Sequence, residues 1–200
     1  MDDSNDLPFG KKGKKPPAKG QTKKRGPKKV TRSHLENVAL YYLERFATSA
    51  ENLRRVLMRR VIKSAAAHDT DPDEGAAIVD DLIARYQTSG LLDDAVYARS
   101  KTGALHRSGN SVRTIRAKLR QKGVDGETID EAFEALKEET PDPDHIAAMK
   151  LAKKRRIGPF RDPDRRAETR EKDMARLARA GFSYHTALSV IDAEDTDEVT

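Results

Sequence analysis

The chain predicts an all-α fold of three tandem three-helix repeats behind a disordered basic N-terminal tail. Three observations carry this. First, Arg107, Ser111, Ile115, Arg116 and Leu119 follow the spacing R-x3-S-x3-I-R-x2-L, and a gapless shift of 62 positions finds Arg45, Ser49, Leu53, Arg54 and Leu57. A forward shift of 58 positions converts Leu119, Gly123 and Val124 into Leu177, Gly181 and Phe182, a weaker third copy. Self-similarity at such a period is the mark of a repeat architecture. Second, 36% hydrophobic against 36% charged residues is a thin supply of core for 200 residues, which suits small units better than one large core. Third, no window of alternating β-branched residues argues for a strand.

The predicted segments are a tail over 1–30, repeats over 31–90, 91–140 and 141–192, and a frayed acidic terminus over 193–200. Residues 1–29 carry ten Lys or Arg against three Asp, whereas the rest of the chain holds 29 bases and 30 acids. The basic balance therefore belongs to the tail. Its Gly, Pro and Lys bury almost nothing, which predicts disorder, and such tails meet nucleic acid or other polyanions. Its glycines and lysines lack the spacing of a phosphate loop.

In the first repeat, Leu35, Val38, Tyr42 and Phe46 recur at helical spacing, and so do Leu53, Leu57 and Val61 behind Ser49 as N-cap. A third helix starts at Asp71 and Pro72, buries Val79, Leu82, Ile83 and Tyr86, and stops at Gly90. The second repeat opens at Asp93, with a small-residue face of Ala95, Ala98, Thr102 and Leu105. Ser111 caps its middle helix, which turns Val112, Ile115 and Leu119 inward until Gly123, and its last helix buries Ile129, Ala132, Phe133 and Leu136. In the third repeat, Asp142-Pro143-Asp144 and Asp162-Pro163-Asp164 both read as helix entrances. Ile146, Ala147 and Leu151 are expected inside the first of these helices, Ala167, Met174 and Leu177 inside the second, and Ala187, Leu188 and Ile191 inside a short last one.

Catalysis finds little support. With no cysteine, thiolate metal sites and disulfides are excluded. The five histidines are scattered, and no serine elbow is present. No cofactor and no metal are expected. No apolar run reaches the length of a membrane span, and no apolar leader precedes the body, which predicts a soluble cytoplasmic protein.

Leu119, Gly123 and Ile129 carry helix-turn-helix spacing, but residues 125–139 hold seven acids and one base, Lys137, and this charge argues against the helix after Gly123 reading DNA. The middle helices are the basic ones. Arg54, Arg55 and Arg59 in the first repeat, Arg113, Arg116, Arg120 and Lys122 in the second, and Arg176 in the third are candidate partner-binding or nucleic-acid-binding residues, joined by Arg107, Lys153 and Lys154. Any one of them can equally be a solvated helix position paired with a nearby acid. Recurrence in three units favours a binding surface, with basic and acidic bands on separate sides.

Taken together, Gly90-Leu-Leu-Asp-Asp-Ala-Val-Tyr-Ala98, then Arg107 and Gly109, then Ile115, Leu119, Lys122, Gly123 and Val124, then Ile129 and Ala132, and finally Ala180-Gly-Phe-Ser-Tyr184 make the chain resemble the RecX family of recombinase regulators over about residues 32–192. Two departures stand out. Val61 occupies the place of Gly123 in the first repeat, so its middle helix is expected to run on, and the third repeat lacks the Arg-x3-Ser element. The resemblance implies an elongated, curved array that binds the RecA filament on single-stranded DNA and damps its ATPase and strand exchange; no enzyme activity is expected from the residues, and the chain is expected to be a monomer. A stand-alone helical protein binding nucleic acid without sequence preference is the alternative.

Overall fold

The computed structural model describes Gly26 and residues 28–194. The tail expected over 1–30 thus lies outside the described residues apart from Gly26 and 28–30, and of the terminus over 193–200 only Ala193 and Glu194 are described. Nine α-helices and one 3-10 turn, without a strand, make up the described residues. The first three are α1 (Arg32–Leu43), α2 (Ala50–His68) and α3 (Pro72–Thr88); next come α4 (Asp94–Arg107), α5 (Val112–Gln121) and α6 (Gly126–Glu139). Then α7 (Pro143–Arg155) leads through the turn Gly158–Phe160 to α8 (Pro163–Arg179) and α9 (Tyr184–Ile191).

Each α-helix starts at a Ser, Thr or Asp whose side-chain oxygen accepts a free backbone N–H of the first turn, as with Ser49 for Asn52, Ser111 for Thr114 and Ser183 for Thr186. Such a cap contributes about 1 kcal/mol. Three separate apolar cores follow. Leu35, Leu53, Leu57, Val79 and Leu82 centre the first; Ile115, Leu119, Ile129 and Phe133 the second; and Met149, Ile157, Leu177 and Val190 the third. Each fully buried Leu or Ile stabilises its unit by roughly 2 kcal/mol.

The long first middle helix is as expected: α2 has 19 residues and α5 has 10. Val61, at the position where the second repeat stops on Gly123, stays helical and packs on Gly75, where any Cβ would collide with its methyl groups. Other expectations need correction. Phe46 lies beyond the end of α1 and is exposed, its ring 5.1 Å from that of Tyr42. On α8 Ala167 is exposed, and Thr169 and Asp173 are buried on that helix. On α7 the buried face is Ala147, Ala148, Met149 and Ala152, with Ile146 and Leu151 at its margin.

The units are joined twice in the same way. The Ser49 hydroxyl donates to the Lys122 carbonyl, and the Ala50 N–H donates to Asp94 Oδ1 at 2.8 Å. One unit on, the Ser111 hydroxyl donates to the Ala180 carbonyl at 2.8 Å, and the Val112 N–H to Asp144 Oδ1 at 2.8 Å. The start of each middle helix thus meets the end of the next one, so that α8, α5 and α2 follow one another head to tail. Orphan carbonyls of one helix end and orphan N–H groups of the next helix start satisfy each other through Ser and Asp side chains. The approach requires the glycine turns. Gly123 and Gly181 both have positive φ, and a Cβ on Gly181 would lie 2.6 Å from Ser111 Oγ.

The matching joint residues also explain why the third repeat is weak in sequence. Lys122 and Ala180 are 58 positions apart, Asp94 and Asp144 only 50. Most of the difference of eight residues lies in the middle helix itself, since α8 has 17 residues where α5 has 10. The turn that leads into α8 is held by Asp173, which accepts both Arg161 Nε at 3.0 Å and Arg161 Nη2 at 2.9 Å, together with the Gly158 N–H.

Burial raises the pKa of Asp144 above the ordinary aspartate range, although its bond from Val112 opposes the shift. The folded state therefore holds this proton more tightly than the unfolded chain, and ionisation of Asp144 weakens the fold as pH rises through the folded-state value. Asp144→Ala, which orphans the Val112 N–H, is expected to lower stability by about 1 kcal/mol. Asp144→Asn keeps an acceptor without the charge. In denaturant titrations it should be at least as stable as the parent at pH 7, an advantage that shrinks as the pH approaches 4; Asn no better than Ala at neutral pH would contradict this.

Candidate functional site: a basic groove at the second joint

The basic residues on the middle helices divide by what they touch. Arg54 and Arg116 occupy the same repeat position, and each ties its middle helix to the third helix of its own unit. Arg54 Nε lies 2.6 Å from Asp80 on α3, and Arg116 pairs with Asp130 on α6 while its guanidinium sits 4.6 Å over the Phe133 ring. The basic and acidic bands therefore meet at these points and do not lie on separate sides. Hydrogen bonding to Asp80 holds the Arg54 pKa above its usual value.

Two more residues serve the first joint. Arg55 bonds Glu51 at 2.7 Å and reaches across to the Gln121 carbonyl at 2.8 Å; Lys122 Nζ reaches Asn52 Oδ1 at 3.2 Å. The remaining candidates, Arg59, Arg107, Arg113, Arg120, Lys153, Lys154 and Arg176, are all exposed.

Of these, Arg113 and Lys154 are brought together with three further cations of the basic helices: Lys118 on α5, Arg155 at the end of α7 and Arg179 at the end of α8. They line two adjoining clefts, of 660 and 400 Å³, that share Thr114 and Arg179 where the C-terminal end of α8 meets α5. No acid lines either cleft. None of the five forms an ion pair among the described residues. Lys118 bonds only Asn110 Oδ1 at 2.7 Å, and Arg179 Nε only the Ala175 carbonyl at 3.2 Å. Five uncompensated cations over low-dielectric walls focus positive potential into one channel. Phosphate oxygens suit such donors, because guanidinium and ammonium groups form short charge-assisted bonds to them.

The groove belongs to one joint only. In the first joint Glu51 replaces Arg113, Val56 replaces Lys118 and Gln121 replaces Arg179. Arg59, Arg107, Arg120, Lys153 and Arg176 do not line the channel. A sequence signal for the convergence of the groove cations does exist: Arg179 sits two residues before the turn glycine Gly181, and that glycine marks the joint.

Fold and groove together define a helical-repeat protein that offers a basic channel between two units. Among the described residues no cluster of His, Cys, Asp and Glu could hold a metal, and no helix is long and apolar enough to cross a membrane. Residues 93–132, from α4 into α6, match the family model described as RecX, second three-helix domain. The chain is 45% identical to the "Regulatory protein RecX" of Myxococcus xanthus (strain DK1622), over 86% of this chain and 92% of that protein. It is 32% identical to the protein of the same name from Agrobacterium fabrum (strain C58 / ATCC 33970), over 83% and 85% of the two chains. A solved structure titled "Crystal structure of regulatory protein RecX" superposes with a TM-score of 0.57 at 26% identity, covering 81% of this chain and 73% of that one. The chain belongs to the RecX family, whose named members are regulatory proteins.

Arg116 and Arg113 are three positions apart yet have opposite roles here. Arg116→Ala should lower thermal stability, by roughly 0.5–1.5 kcal/mol, since it loses a cation–π contact and a part-exposed ion pair. Arg113→Ala should stay within about 0.5 kcal/mol of the parent. Equal melting temperatures for the two variants would refute the division.

Proposed function

We propose that the chain is a non-enzymatic regulator of the RecA recombinase. It binds the filament that RecA forms on single-stranded DNA and damps ATPase and strand exchange, in recombination, DNA repair and the SOS response. The acid-free cationic groove at the joint of α5 and α8 carries this reading. A filament on DNA is a long, repetitive polyanion, and a rod of stacked units makes several contacts to it in register, gaining through effective concentration. Arg113, Lys118, Lys154, Arg155 and Arg179 hold backbone phosphates; Arg59, Arg107, Arg120, Lys153 and Arg176 add weaker contacts from exposed positions. The ten bases of residues 1–29 contribute sequence-independent affinity for DNA. Arg54, Arg55, Arg116 and Lys122 act one step removed, by holding the units in line. The protein works in the cytoplasm as a monomer and needs no cofactor.

The double variant Arg113→Glu/Arg179→Glu tests this. Both side chains are exposed and form no ion pair, so helicity should persist. Affinity for the RecA filament should fall at least tenfold, with a matching loss of ATPase inhibition. Unchanged inhibition sinks the reading. A stand-alone nucleic-acid-binding role makes a different forecast: removing residues 1–29, at a salt concentration that abolishes binding to bare DNA, would then abolish inhibition as well. Under the regulator reading inhibition survives that truncation.

A further inference from the structure

The first joint carries a groove of the opposite chemistry. Seven large apolar side chains are exposed among the described residues, and four of them line this one cleft: Leu40 (44%), Phe46 (54%), Leu91 (49%) and Val96 (54%). Single exposed apolar residues need no explanation, but a convergent group marks an interaction site. The cleft measures 550 Å³ and lies between the α1–α2 corner and the α3–α4 turn. Phe46 is held there by its tilted contact with Tyr42, so part of the surface is formed in advance.

The joint itself does not demand such a groove. At the second joint the equivalent positions are Thr102, Ser108, Pro141 and Ile146. Nor does the first core require these side chains, since its centre is closed by Leu35, Leu53, Leu57, Val79 and Leu82. The charges at the rim select the kind of partner. Glu44 and Asp93 line the cleft, both exposed and neither in an ion pair, and no Lys or Arg lines it. Nucleic-acid phosphates would be repelled from such a surface, whereas a cation beside apolar side chains would be attracted.

We infer that this groove docks the protein component of the filament, through a segment that presents apolar side chains next to a lysine or arginine. The inference rests on the filament reading above and adds to it a second, separate contact. The same rod then grips DNA at the joint of α5 and α8 and protein at the joint of α2 and α5. It distinguishes a nucleoprotein from bare DNA because only the nucleoprotein satisfies both.

Val96→Asp and Leu91→Asp test the groove in the full chain, with Val96→Ile as the conservative control. Affinity is measured for RecA filaments on single-stranded DNA and for the same DNA alone. The aspartate variants should lose at least tenfold in filament affinity and keep bare-DNA affinity within twofold, while Val96→Ile stays near the parent. Arg113→Glu/Arg179→Glu should weaken both. An aspartate variant that binds filaments like the parent overturns the inference while the filament reading stands, and so does one that loses bare-DNA affinity equally. If the parent self-associates in sedimentation and Val96→Asp disperses it, the groove belongs to a second copy, and the inference falls. If the loss disappears when residues 1–29 are absent, the occupant is the chain's own Leu7–Phe9 region, which also overturns it. A parent chain that binds no filament removes both readings together.

Discussion

The structure depends on the joint between consecutive middle helices. A three-helix unit of 50–60 residues with a core of about ten side chains buries too little apolar surface to be secure alone. Coupling it to a neighbour adds stability and fixes direction at once. The Ser hydroxyl that caps one helix also bonds the last carbonyl of the next, and the Asp at the start of the neighbouring unit's first helix takes up a free N–H. Head-to-tail alignment also places the partly negative end of one helix dipole against the partly positive end of the next. Gly123 and Gly181 are needed because the chain must turn with positive φ where the following helix presses closest.

Once that joint is in place, its flanks are free to differ. The two crevices differ in chemistry: one is lined by Arg113, Lys118, Lys154, Arg155 and Arg179, the other by Leu40, Phe46, Leu91 and Val96 under Glu44 and Asp93. The backbone hydrogen bonds that build the joint use none of these side chains. Surface chemistry can therefore change at one crevice without disturbing alignment, which is the functional advantage of a quasi-one-dimensional fold.

Much of this architecture was legible because its causes are local. Serine caps, Asp-Pro helix entrances and Leu-x3-Gly turns each have a short spacing, and all of them form helix ends as expected. The site was harder to read. Recurrence at Arg54 and Arg116 pointed to a shared binding surface, yet the shared requirement is internal: both tether the middle helix to an aspartate on the third helix. A repeated structural tie and a repeated contact leave the same trace in sequence. The convergence of Arg113, Lys118, Lys154, Arg155 and Arg179 was hidden for the complementary reason, since the channel forms at one joint and so does not recur. In the third unit, Asp173 was expected neither to be buried nor to bind Arg161, because its partner closes the 3-10 turn before α8, which has no counterpart among the other described units.

The open ends of the first and third units differ from the internal joints. At the open end of the third unit, the start of α8 is capped by its own Asp162, and the positions that would have to receive it in another copy are unsuitable. Arg32 stands where the joint needs Asp94 or Asp144, and α2 runs past Val61 to end at Asp69 in place of a glycine. Arg32, whose guanidinium pairs with Asp81, cannot accept the backbone N–H that Asp94 and Asp144 accept, and the longer α2 would overrun the contact. The two features that close the joints within the chain, an aspartate on the first helix and a glycine turn after the middle helix, are thus both replaced at the open face of the first unit.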